Sequence, residues 1–100
     1  MVIRSRLDSV FHALSDRTRR QMLRALKTGP RNITQLAQPF RMSYTAASKH
    51  VRVLEDAGLI RRKAKGRSQE IRVQPLPLRS AYQWLTAYRD AWTEVERVLE

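Results

Sequence analysis

No cysteine occurs in these 100 residues, which excludes disulfides, thiolate metal sites and thiol redox chemistry. Glycine is scarce, three in all, so a low-complexity flexible chain is excluded as well. Long apolar runs are missing, and none approaches the ~18–20 residues that a membrane-crossing helix needs. Met1 to Arg6 has no apolar stretch of signal-peptide length, and the expectation is a soluble, cytoplasmic protein. Acidic residues are few, nine against twenty Lys and Arg, leaving a net charge of +11. Such an excess points to a polyanionic partner, nucleic acid most simply, although an anionic membrane surface would also attract it. With 42% hydrophobic residues, the chain can build one modest core in a single domain over residues 1–100.

The spacing of Leu7, Val10, Phe11 and Leu14 predicts a short first helix. Ser15-Asp16 caps a second, from about Arg17 to Lys27, which Gly29-Pro30 ends. Asn32 with Gln35 three positions on forms a capping box for a third helix carrying Ile33, Leu36 and Ala37, and Pro39 should end it early. Ser43 caps the fourth, whose core stripe is Ala47, Val51 and Leu54, with Gly58 as its terminator. Leu59 to Lys65 and Gln69 to Gln74 read as two short strands around a turn at Gly66.

Beyond Pro75 and Pro77, the residues Leu78, Ala81, Leu85, Tyr88, Trp92, Val95 and Leu99 step alternately by three and four. The pattern predicts one long final helix with a coiled-coil-like seam, and Trp84, Ala91 and Val98 add a second stripe. That is more apolar surface than a small domain can cover, so this helix is expected to dimerise, with the first helix as its partner. The interface residues would be Leu7, Val10 and Phe11 together with the seven seam residues. The fold class is mainly α with a small β-hairpin, in the order α-α-α-α-β-β-α, a winged helix-turn-helix flanked by dimerisation helices.

The third and fourth helices, joined around Phe40-Arg41-Met42, have helix-turn-helix proportions. In that motif the amino-terminal residues of the second helix meet base edges in the major groove. The candidates are Ser43, Tyr44, Thr45, Ser48, Lys49, His50 and Arg52, where small side chains permit close approach and hydroxyls serve as donors or acceptors. Tyr44 suits contact with a thymine methyl group and equally a packing role. The blander reading is an amphipathic helix with a solvated polar face. Against it stands the local charge: nine cations and three anions between Arg41 and Arg72 leave +6 there. Arg61, Arg62, Lys63, Lys65 and Arg67 in the hairpin are candidates for phosphate contacts. Strand alternation puts Arg61 and Lys63 on one side, so not all five can face DNA. Edge-strand protection against aggregation is the alternative role for one or two of these charges. Arg17, Arg19, Arg20 and Arg24 form a second basic cluster, suited either to the DNA backbone or to pairing with carboxylates.

Catalytic patterns are lacking. The two histidines, His12 and His50, are far apart and have no carboxylate at ligand spacing, so no metal or other cofactor is expected. An orienting hydrogen bond is the expected role for His50, and His12 is expected to be structural or exposed. There is no phosphate-cradling glycine loop, nucleophile elbow or metalloprotease pattern, and the expectation is that the chain is not an enzyme.

Val10 to Leu23, Leu36 to Ser43, Ala47 to Leu59 and the basic wing together resemble the ArsR/SmtB family, over roughly residues 7–75. The string Ser48-Lys49-His50 followed by Leu54-Glu55-Asp56-Ala57-Gly58-Leu59 is the most specific part. The resemblance implies homodimeric transcriptional repressors that bind pseudo-palindromic operators and are released by an effector. It places Ser43, Thr45, Ser48, Lys49 and His50 on the recognition helix and Lys65 to Arg67 at the wing tip. The family's metal sites do not carry over, because Gln35-Leu36-Ala37-Gln38 has no cysteine and Tyr88 to Glu100 has no histidine. Arg17 stands where the family often has a helix-opening proline. The sequence thus leads to double-stranded DNA and a second copy of the chain as partners, no membrane, and an unknown effector. The alternatives are a ribosome- or RNA-associated basic domain and a helix-docking interaction module.

Overall fold

The order of elements in the computed structural model, which describes residues 5–99, follows from how each helix is started and stopped. Helix α1 (Arg6–Leu14) begins where the Ser5 hydroxyl accepts the Asp8 N–H, and α2 (Arg17–Leu26) where the Asp16 carboxylate accepts the Arg19 N–H. Helix α3 (Ile33–Ala37) has a reciprocal capping box: the Asn32 side chain accepts from the Gln35 N–H, and the Gln35 side chain accepts from the Asn32 N–H. Pro39 is accommodated in a single 3₁₀ turn (Gln38–Phe40), after which Arg41, at φ 52°, turns the chain toward α4 (Tyr44–Asp56).

The end of α4 is a complete Schellman motif. The Gly58 N–H donates to the Glu55 carbonyl and the Leu59 N–H to the Leu54 carbonyl, with Gly58 at φ 76°. Leu54 and Leu59, the hydrophobic pair of that motif, are both fully buried. Strands β1 (Ile60–Lys65) and β2 (Ser68–Val73) follow as an antiparallel hairpin, from Ile60 opposite Val73 to Lys65 opposite Ser68. Gly66 and Arg67 form the turn, with a positive φ at Gly66 alone, the sign pattern of a type II′ turn. Arg31 exchanges two backbone hydrogen bonds with Ile71, a third rung that ties the hairpin to the α2–α3 connection. Met22, Leu36, Leu54, Leu59, Ile71, Val10 and Val51 are the largest fully buried side chains and make one core from five helices' and strands' worth of chain.

The expected long final helix is two helices, α5 (Leu78–Thr86) and α6 (Arg89–Leu99). At the corner the Thr86 hydroxyl donates to the Gln83 carbonyl, and the Ala87 and Tyr88 N–H groups bond three residues back. Such tightening and side-chain competition bend a helix without proline or glycine. Aromatic side chains line the corner, with Trp84 and Tyr88 tilted to each other at a centroid separation of 5.2 Å and Phe11 edge-to-face with Trp84 at 5.9 Å. Helix α5 packs on α1 within the chain. Val10 (0% exposed) and Ala81 (4%) are therefore core residues with no surface to offer a partner, a correction to the expected interface. Leu7, Phe11 and Leu78 are half-buried against the same core. Leu85, Tyr88, Trp92, Val95, Val98 and Leu99 stay exposed, and α6 buries none of its residues.

Candidate nucleic-acid interface

Because Ala47, Val51 and Leu54 anchor α4 in the core, its opposite face is presented outward. Thr45, Lys49 and Arg52 are exposed on that face, Ser48 is half-exposed, and Tyr44 stands 61% exposed at the helix start. The Ser43 oxygen accepts the Ala46 N–H at 3.1 Å, leaving its hydroxyl hydrogen to donate outward. The unsatisfied N–H groups of the first turn carry the positive end of the helix dipole, so this end favours an anion such as phosphate.

His50 faces elsewhere. Its Nδ1 lies 3.3 Å from the Arg19 guanidinium and 3.9 Å from the Asp16 carboxylate. The second distance is beyond hydrogen-bond reach, and because an arginine can only donate, the contact with Arg19 is a hydrogen bond in the tautomer that leaves Nδ1 free to accept. Arg19 is the one buried charged residue among those described, 9% exposed. It also donates to the Ala13 carbonyl at 2.8 Å and the His12 carbonyl at 3.0 Å, while Arg20 donates to the Leu14 carbonyl at 2.7 Å. These are the carbonyls of the last turn of α1, of which His12's is also bonded by Ser15, and cations are favoured at that end of a helix. Two members of the second basic cluster are thus committed to the fold, through backbone acceptors that sequence reasoning missed. The Arg19 N–H hydrogen bond holds the Asp16 carboxyl below its usual range against partial desolvation, aided by the charge of Arg19 and by that of His50 whenever its ring is protonated.

Alternation in the hairpin puts Arg61, Lys63 and Lys65 on one side, with Arg72, Glu70 and Ser68 opposite them. Glu70 accepts from Arg72 at 2.7 Å and Lys65 at 3.3 Å, and these two bonds, Arg72's first, hold its carboxyl below the ordinary range. Lys65 remains largely exposed, and Lys63 and Arg67 extend into solvent around the turn. Arg62 departs from the expected phosphate grip. It lies on the side of Ile60 and Ile71, half-buried, with Nε 3.2 Å from the Glu55 carboxylate of α4. That N–H does not point at the oxygen, so the contact is an ion pair and not a hydrogen bond. A second guanidinium nitrogen donates to the Gln69 side chain at 3.3 Å. Among the described residues no group of three or more His, Cys, Asp or Glu is placed to hold a metal ion.

A helix turned outward after a tight turn, continued directly by a basic hairpin, defines a winged helix-turn-helix protein of the DNA-binding kind. A helix-turn-helix domain family model matches residues 14–63. The transcriptional repressor SdpR of Bacillus subtilis is 30% identical over 79 residues, covering 79% of this chain and 88% of that protein. An ArsR family transcriptional regulator of known structure is 35% identical with a TM-score of 0.80, over 89% of this chain and 98% of the other. The homodimeric winged helix-turn-helix DNA-binding domain of a possible ArsR-family regulator from Mycobacterium bovis is 25% identical with a TM-score of 0.69, over 89% and 82%. The chain belongs to the ArsR family of helix-turn-helix transcriptional regulators. No helix among the described residues is long and apolar enough to cross a membrane.

Proposed function

We propose that the chain acts in the cytoplasm as a homodimeric repressor at a pseudo-palindromic operator. The observation that carries this reading is the uncovered apolar face of the last two helices. Trp92, Val95 and Leu99 are 48%, 58% and 80% exposed, and nothing among the described residues covers them. A second copy, meeting this face with its own, would bury it and set two α4 helices one turn of DNA apart, ~34 Å. In each head Ser43, Tyr44, Thr45, Ser48, Lys49 and Arg52 read the groove, while Lys63, Lys65 and Arg67 grip phosphates. His50 positions the helix through Arg19, and Arg62 braces the wing against Glu55. The similarity to the Bacillus repressor and to the Mycobacterium homodimer supports repression and pairing respectively.

Selecting bound fragments from random duplex DNA, then footprinting them, tests the proposal. The expected product is an inverted repeat, bound at least ~100-fold more tightly than unrelated duplex and blocking transcription when placed over a promoter. Equal affinity for all duplexes, or tighter binding to structured RNA at the same salt, would overturn it.

A further inference from the structure

A groove of about 720 Å³ opens between the base of the wing and the start of α5. Its floor is carbon-lined, by Val73, Leu76, Leu78 and Tyr82, and its rim carries Arg61, Arg72 and Arg79. Arg61 and Arg72 are direct cross-strand partners, a juxtaposition of like charges that ordinarily destabilises a hairpin. The nearby carboxylate that offsets them is Glu70, which binds Arg72 and is already shared with Lys65. Arg61 and Arg79 make no ion pair among the described residues. This excess of guanidinium is not explained by the wing's grip on DNA. Arg61 is four residues from Lys65 along an extended strand, so it stands ~13 Å back from the wing tip.

An apolar trough edged by unpaired guanidinium groups is complementary to a molecule with an apolar body and one anionic end. Arginine's planar fork matches a carboxylate in two-point contact. We propose that this groove binds an amphipathic monocarboxylate, an acyl or aryl acid, and is the regulator's effector site. The location gives binding a consequence. One wall of the groove is the hairpin that follows the reading helix, and the other is α5, which leads to the exposed apolar face of α6. A carboxylate bridging the two favours one angle between head and dimer helices, and it shifts DNA affinity to the extent that it prefers that angle. The regulatory half of the inference rests on the operator reading above, whereas the binding half does not.

Decanoate below its micelle concentration is the probe, titrated into the ¹⁵N-labelled full chain without DNA. Saturable shifts are expected at Arg61, Leu76, Arg79 and Tyr82. Decanol should bind about tenfold more weakly or worse, as should the Arg79→Gln variant. Leu76→Asp, at a position 70% exposed, tests the apolar floor with little risk to folding and should weaken binding comparably. Absence of saturation, equal affinity for decanol, or shifts confined to α6 would overturn the site. Shifts that follow protein concentration instead of decanoate would assign the groove to a second copy and also overturn it. Operator affinity measured with and without decanoate reads the second half. Saturable binding with unchanged affinity for a proven operator would sink the effector role alone. A chain without any operator would be seen in that arm and not in the titration.

Discussion

The Nδ1 atom of His50, on the helix proposed to read DNA, stands 3.3 Å from the guanidinium of Arg19, which at the same time caps the end of α1. One buried cation therefore joins three helices, and its fork geometry is what reaches three acceptors at once. Lysine has a charge but no fork. Arg19→Lys should lower unfolding stability by about 2 kcal/mol and weaken operator binding by loosening α4. Chemical denaturation monitored by circular dichroism measures the first effect. A midpoint equal to the parent's would mean that the α1 carbonyls are as well served by water.

Asp16 gives this junction an acid dependence whose sign is fixed. Its folded-state pKa is lowered, so its contribution is complete above the unfolded value of ~3.9 and disappears as pH falls through the lower folded one. Asp16→Asn keeps a capping oxygen and removes the charge. The melting temperature of this variant should fall less than the parent's between about pH 5 and pH 2.5. Parallel pH profiles would remove Asp16 from the acid response, leaving Glu70, whose pKa is also lowered, as the remaining candidate.

At the outward face of α4, Lys49→Ala should reduce operator affinity without changing the melting temperature, since its side chain is exposed. Replacing Lys65 and Arg67 together with alanine should flatten the slope of log affinity against log salt by up to ~2 units. Fluorescence anisotropy across a salt series reads both. Because Arg62 is turned to Glu55, Arg62→Ala should leave the slope nearly unchanged and show itself in stability instead.

For the apolar face, Val95→Asp should convert the dimer to monomer with the head still folded, because α6 contributes nothing to the core. Sedimentation at micromolar concentration distinguishes the species. A dimer that survives the substitution would move the interface to Leu85 and Trp84 on α5.

Legibility followed the range of the interactions. The caps at Asp16, Asn32 and Ser43 are visible from sequence because each acts within three residues, and the stripe Ala47, Val51, Leu54 because it repeats along one helix. The break at Ala87 has no proline or glycine to announce it and depends on a threonine hydroxyl and an aromatic corner. Arg19 binds backbone carbonyls, which every sequence has everywhere, so no pattern distinguishes it from the exposed Arg17 beside it. Strand alternation told that Arg62 and Lys63 face opposite ways. Which one faces inward follows from the side that buried Ile60 and Ile71 take, and Glu55, on a neighbouring element, then meets the Arg62 guanidinium.

The Schellman turn at Gly58 leaves no slack between α4 and β1: Leu54 and Leu59 are both locked in the core, and Ile60 is already paired with Val73. The proposed base reading and phosphate grip are consequently geared together, like two prongs cast in one piece. One residue inserted after Gly58 would not lengthen a hinge. It would turn every side chain of β1 to the opposite side, sending Lys63 and Lys65 toward the core and Arg62 into solvent.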